Sequence, residues 1–478
     1  MRYTQIATAK PFVGAPHINL PDLFGASPKK PVILRVPVTG ERPIKYGAVG
    51  LPTGLVLENG IVTGKAECEG EYIVTFTAEN AHGKAEKKVT FEIKENAILL
   101  TPLLGFTSWN AYDSDVSQEN IEQVADRMVE TGIAEYGYSY VNCDSGWQNE
   151  YGGKHDAIMP NEKFPDMKKM CDKIHSLGLK CGIYSTPMLR AWGCPKEFDH
   201  IPGCTVGEPD ELFAITNTGV GKIRKEKNNV AQWTEWGFDY LKYDWAPCDP
   251  TNAEYMRREL VKSERDFGFC VTVSASHDYI TYWSRYCNSY RCNQDSWAAW
   301  DNFINIYRSY FGFIYDVQKG HFFDLDMLDV GNGKYRKEGK SKFNEDEELC
   351  AYTLRAFMCS PIQLSSTFED MSEFELSMYC NEEIIAINQD SAFYPARPVM
   401  MFEQDKKCVH IFKKKLSDGN FAYAAFNLGE THENLVIHLD ETCVIRDVWK
   451  KEDQTTRDRI VFDMYPHTVR VFKATKAE

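Results

Sequence analysis

At 478 residues the chain is too long for a single hydrophobic core, and two or three domains are expected. A net charge of −15 argues against nucleic acid and anionic membranes as partners, and no apolar run is long enough to span a bilayer. The opening MRYTQIATAKPF lacks the apolar stretch of a signal peptide. The fifteen cysteines are odd in number and form no C-x-x-C pair, and several (Cys143, Cys181, Cys270, Cys359) sit within apolar runs. That usage points to reduced thiols and a cytoplasmic setting, with a secreted or periplasmic mature form as the alternative. The aromatic content of 13% suits either sugar stacking or a large aromatic core.

Residues 1–30 carry many prolines and read as an extended arm. Residues 31–97 alternate polar and apolar in short runs (VILRVPV, GLVLENGIVTG, GEYIVTFTAEN, AEKKVTFEIKE), separated by turn signals, which predicts a small antiparallel β-sandwich. From about residue 98 to 391 the rhythm is strand then helix. The expected strands are 103–109, 138–144, 179–185, 240–244, 270–274, 289–295, 321–328 and 362–366. Helical spacing lies between most of them, as in Asn120–Val129, where Ile121, Val124, Ala125 and Met128 share a face. Eight such units predict a (β/α)8 TIM barrel. Residues 392–478 alternate again, with a turn at Ser417–Asn420, and predict a second, C-terminal antiparallel β-sandwich. The fold class is therefore multidomain, α/β plus all-β.

The stretch LKYDWAP, residues 241–247, concentrates the chemistry. Lys242 and Asp244 are two apart on a strand and so share a face, and Pro247 ends the strand. A carboxylate at the C-terminal end of a barrel strand is where such folds keep their active sites, although a salt bridge closing the rim would leave the same pattern. The other strand ends supply Trp109-Asn110, Asp144-Ser145, Tyr184-Ser185, Ser276-His277-Asp278, Arg291, Asp295, Asp324 and Asp326. A mouth of carboxylates, cations and aromatics fits a polyhydroxylated ligand, and two carboxylates can divide the nucleophile and acid roles. The substrate-binding candidates are Trp109, Asp144, Ser145, Tyr184, Lys242, Arg291, His277 and Asp326. No H-x-H or H-E-x-x-H spacing supports a metal, so no metal or cofactor is expected, and an all-oxygen Ca²⁺ or Mg²⁺ site stays open. Gly219-Val220-Gly221-Lys222 lacks a full phosphate-loop pattern and reads as a loop. The loop 333–342, GKYRKEGKSK, carries five cations and is either a solvated loop or a clamp for an anionic group.

GFTSWNAY (105–112), YSYVNCDSGW (138–147), WGFDYLKYD (236–244), RCNQD (291–295), DLDMLDVGN (324–332) and EEIIAINQD (382–390) closely resemble glycoside hydrolase family 27. That family holds the α-galactosidases and α-N-acetylgalactosaminidases. The segments 51–64 and 70–83 resemble the immunoglobulin-like domains appended to some bacterial members, and IRDVW (445–449) and YPHTVRVF (465–472) resemble the family's terminal β domain. The resemblance implies a retaining, exo-acting double displacement on terminal α-D-galactosyl residues, with Asp244 as nucleophile and Asp295 as acid/base. It also implies Arg291 near the sugar 2-OH, Lys242 on the 3- and 4-OH, and Trp109 and Tyr184 walling the site. Asp295 must start protonated, so its pKa is expected above that of a free carboxyl.

Three departures from the family pattern bear on specificity. Ser145 stands where a second aspartate usually helps hold the C6 hydroxyl. Ser276-His277-Asp278 matches neither of the family's segments that read the sugar 2-position. Trp245-Ala246 replaces the usual Asn-Cys after the nucleophile, with Cys248 two positions later, so the family's disulfide is not expected and a Cys194–Cys248 bond stays open. The rival expectations are the same machinery on another sugar (a β-L-arabinopyranoside or an α-glucan) or a non-catalytic carbohydrate-binding protein. Oligo- or polysaccharide or glycoside substrates are the expected partners, and an oligomer is possible.

Overall fold

The computed structural model describes residues 2–192, 201–212 and 219–477. The centre of the molecule is an eight-stranded parallel sheet. Its strands in chain order are β1 (Leu104–Thr107), β2 (Tyr140–Asn142), β3 (Lys180–Ser185), β4 (Tyr240–Asp244), β5 (Gly268–Thr272), β6 (Ser289–Arg291), β7 (Phe322–Asp324) and β8 (Ile362–Leu364). Neighbours pair in sequence order, β8 returns to β1, and a parallel bridge between Leu328 and Leu364 joins the end of β7 to β8. The sheet thereby curls into the expected barrel.

Register explains how this barrel can hold both a core and a site. On β4, Leu241 and Tyr243 face outward into the helical layer, and Tyr240, Lys242 and Asp244 face inward by the two-residue period. At the lower end of the barrel, Leu103, Tyr140, Tyr240 and Cys270 pack together as an apolar plug. One step up, paired residues become polar: Tyr184 lies beside Lys242, and Arg291 beside Asp324. The helices α1 (Gln118–Glu130), α2 (Trp300–Ser309) and α3 (Glu345–Phe357) are part of the outer layer. Ser117 opens α1 with a capping box, and Ile121, Val124, Ala125 and Met128 are buried on one face, as the spacing predicts.

Two antiparallel hairpins interrupt the barrel: Gln148–Gly152 with Ala157–Pro160, and Thr205–Leu212 with Gly219–Arg224. Gly219–Lys222 is thus strand, not loop. Gly221 is needed there because a Cβ would come within 2.3 Å of the Val206 carbonyl oxygen on the partner strand.

The N-terminal segment is more ordered than an arm. Leu23–Ala26 pairs in parallel with Gly83–Ile93, in a four-stranded sheet that faces a three-stranded one across an apolar core centred on Val62, Val74, Phe76 and Phe91. This module sits on the barrel's lower face, away from the strand C-termini. Arg35 donates to the Leu177 carbonyl and, with Arg42, pairs with buried Glu135, while Ser27 N–H donates to Asp266. The C-terminal module is a six-stranded antiparallel sheet. Its period-two alternation is two-sided: Phe412, Ala424, Phe426, Val469 and Val471 join the barrel core, and Ile411, Tyr423, Ala425 and Phe472 build the sheet's other core.

Candidate active site

Asp244 stands at the C-terminal end of β4, and one oxygen accepts the Tyr184 hydroxyl at 3.0 Å. Lys242 donates to Asp144 at 2.7 Å. Asp144 is fixed further: its N–H donates to Ser108 Oγ (2.9 Å), and its carboxylate accepts the Ser145 N–H (2.8 Å) and the Thr107 hydroxyl (3.4 Å). Arg291 ends β6 almost fully buried and reaches two carboxylates, Asp295 at 3.0 Å and Asp326 at 3.2 Å. Strands 2, 3, 4, 6 and 7 therefore converge their side chains on one mouth.

The electrostatics assign the groups different states. Burial raises the Asp244 carboxyl to about 7; Lys242 and Arg291 oppose that rise, and Asp295 and Asp144 add to it. Burial disfavours the charge on Lys242, but the carboxylates of Asp144, Asp244 and Asp326 outweigh it and hold the ammonium protonated. Asp295 behaves opposite to expectation. Burial disfavours its charge, yet Arg291 outweighs that and holds the carboxyl below its ordinary value. The reason is geometric: the Asp295 carboxyl is bonded directly to the Arg291 guanidinium, while Asp244 sits at the end of β4 inside the barrel. Asp244 therefore holds a proton more readily than Asp295 does.

Several predicted residues play other parts than expected. Asp326 is an anchor: one oxygen faces Arg291, the other accepts the Ser296 N–H at 2.6 Å, and its backbone is left-handed (φ 71°). His277 is 55% exposed and engages Asp316 (3.5 Å) and the edge of Phe313, not the mouth carboxylates. Ser145 is buried and its hydroxyl donates to the Trp192 carbonyl. Trp109 opens a short helix, Trp109–Tyr112, instead of ending a strand, and its side chain meets Tyr335. In the cationic loop Lys334 pairs with Asp115, Arg336 with buried Glu348 and Lys340 with Glu338, so three of its five charges are already matched. Cys194 lies outside the described residues, and Cys248 is a buried free thiol against the carbonyls of Trp245 and Val273.

Arg355 escaped the sequence reading. It is fully buried on α3 and donates to the carbonyls of Leu325, Asp326 and Met327, fixing the loop that carries Asp326. A lone arginine in the otherwise apolar LCAYTLRAF was its signal. Among the described residues one trio of potential metal ligands clusters, Glu403, Cys408 and His410, on a hairpin of the C-terminal sheet and not at the mouth. The mouth carboxylates are matched by Lys242 and Arg291, an arrangement for hydroxyl groups more than for a cation.

The comparisons with known proteins converge on one family. A family model described as alpha galactosidase A matches residues 107–390, and one described as the alpha galactosidase C-terminal beta sandwich domain matches 406–474. Alpha-galactosidase 2 of Arabidopsis thaliana is 24% identical over 400 residues, covering 80% of this chain and 92% of that protein. Alpha-galactosidase A of Cellvibrio japonicus is 29% identical over 345 residues, covering 68% and 76%. The crystal structure of a candidate alpha-galactosidase/melibiase from Bacteroides fragilis superposes with a TM-score of 0.86 at 27% identity, covering 97% of this chain and 99% of that one. With the barrel, the C-terminal sheet and the family match all in agreement, the chain belongs to the alpha galactosidase A family of glycoside hydrolases.

Proposed function

We propose that the mouth hydrolyses terminal α-D-galactosyl residues by retaining double displacement. The observation that carries this reading is the pair Asp244 and Asp295 around Arg291, at strand ends of one barrel. Asp244, ionised, attacks C1 and forms a glycosyl ester; Tyr184 steadies its oxygen. Asp295 protonates the leaving oxygen and then takes a proton from water. For this Asp295 must carry the proton while Asp244 is ionised. Turning from Arg291 toward the leaving oxygen removes the hydrogen bond that keeps Asp295 acidic, while Lys242 and Arg291 favour the ionised Asp244. In this reading the hydrogen-bonded pair Lys242 and Asp144 reads the axial 4-OH. ¹H NMR of the first-formed sugar tests the stereochemistry: the α anomer is expected, and initial release of the β anomer would refute retention.

One observation favours a second sugar. Ser145 offers no charge at the place of the family's second aspartate, and its hydroxyl is already given to Trp192. β-L-Arabinopyranosides, which lack the C6 group, are therefore proposed as additional substrates. The fourteen described cysteines are free and mostly buried, which supports a reducing, cytoplasmic setting as a proposal.

A further inference from the structure

We infer that Glu403, Cys408 and His410 form a site for a divalent metal of the zinc class, on the C-terminal sheet and apart from the catalytic mouth. Strand pairing brings the three together. Arg397–Gln404 and Lys407–Lys415 form an antiparallel hairpin at the edge of that sheet, and Glu403 stands directly opposite Cys408. His410 follows Cys408 by two residues, so all three share one face. Their ligand atoms lie within 4.8 Å of one another. His410 Nε2 is 2.9 Å from Glu403 Oε1 and 3.8 Å from Cys408 Sγ. A tetrahedral zinc, with bonds of about 2.0–2.2 Å to nitrogen and oxygen and about 2.3 Å to sulfur, sets its ligands roughly 3.3–3.6 Å apart. The observed separations bracket that spacing, so small side-chain rotations seat the ion.

The surroundings support a metal more than a plain His–Glu ion pair, which would not need the Cys408 sulfur beside the same ring nitrogen. His410 is buried, and its other nitrogen, Nδ1, lies 2.7 Å from the hydroxyl of Tyr307 on α2. A metal on Nε2 places the ring proton on Nδ1, where that hydroxyl accepts it and fixes the ring. Thiolate with imidazole and carboxylate selects zinc over calcium or magnesium, which prefer oxygen alone. Cys408 coordinates as the thiolate and releases its proton to solvent. Thiolate and carboxylate together cancel the charge of a divalent ion, so the loaded site is neutral beside the Arg308 guanidinium. The Glu403 side chain is 52% exposed, which gives the ion a way in and leaves a fourth position to water. The ion ties the edge strand Arg397–Gln404 to the strand that packs on α2 through His410 and Phe412.

The test uses the full chain, stripped of metal, with Zn²⁺ or Co²⁺ alone as the probe. Wild type is expected to bind one equivalent, and Co²⁺ to give the charge-transfer absorption of a cobalt–thiolate bond. That absorption is expected to vanish in Cys408→Ser. Glu403→Gln, on the exposed edge, should weaken binding about tenfold or more, since even the partners of metal ligands matter on that scale. Peptide mass spectrometry gives a reading on the unaltered chain. Zn²⁺ should slow alkylation of Cys408 and leave the rate at Cys68, an exposed thiol of the N-terminal module, unchanged. A wild type that binds neither metal, a cobalt–thiolate band that persists in Cys408→Ser, or a Cys408 alkylation rate that Zn²⁺ does not change would each overturn the inference.

Discussion

Arg291 holds Asp295 with one nitrogen, at 3.0 Å, and Asp326 with the other, at 3.2 Å. The fork makes a loop residue a fixed member of the mouth and keeps its carboxyl acidic at rest. A lysine cannot reproduce two divergent contacts. Arg291→Lys is therefore expected to lower kcat/KM by about tenfold to a hundredfold, as for loss of a charge-assisted hydrogen bond. Arg291 holds the carboxyls of both Asp295 and Asp244 down, so with its fork gone both limbs of the kcat/KM profile should move upward. A profile that keeps the wild-type limbs would show that Arg291 does not set the ionisation of Asp295.

Asp244→Asn should fold and lose turnover, because an amide cannot form the glycosyl ester, and azide with an activated substrate should restore some rate. The variant also has a pH signature. The Asp244 carboxyl is raised from 3.8 to about 7 in the folded protein. A raised acid stabilises the fold fully below its unfolded pKa and loses that contribution as pH climbs to the folded value. Asparagine has no such loss. The Tm of Asp244→Asn minus that of wild type should increase from pH 4 to pH 8, and a difference independent of pH would mean that Asp244 is not raised.

Asp295→Ala should harm substrates with poor leaving groups much more than nitrophenyl ones, which need little protonation. Initial rates on a series of aryl and alkyl α-galactosides measure this. Equal losses across the series would remove Asp295 from the acid role.

The elements of this mouth that could be read directly are those tied to the chain's own period. Strand alternation placed Lys242 and Asp244 on one face, and the strand-then-helix rhythm placed every barrel strand. What stayed hidden depends on loops meeting across the barrel. Asp326 resembled a ligand residue because nothing local shows that Ser296 and Arg291 occupy both its oxygens. Asn302, Asp329 and Arg355 act through backbone groups of distant residues, which leave no pattern of spacing. The acidity of Asp295 was misjudged because the expectation weighed a neighbouring carboxylate and missed the directly bonded guanidinium. His277 followed its strand end correctly but turned outward to Asp316.

Ser145 gives the specificity prediction. Wild type should separate α-D-galactosides from β-L-arabinopyranosides only weakly, since they differ at C6 alone. In Ser145→Asp the carboxylate cannot donate to the Trp192 carbonyl and is turned toward the mouth. The kcat/KM ratio should shift toward galactosides by about tenfold or more, the scale of one charged hydrogen bond. A ratio that stays put, or moves toward arabinosides, would mean that Ser145 does not face C6.

The claim on which the rest depends is that Asp244 carries the sugar during turnover. Inactivation with a fluorinated α-galactosyl fluoride that forms its ester quickly and loses it slowly, followed by peptide mass spectrometry, tests it most directly. The account predicts one added sugar per chain, on the peptide that contains Asp244. A label on Asp295, or inactivation with no covalently modified peptide, would contradict it.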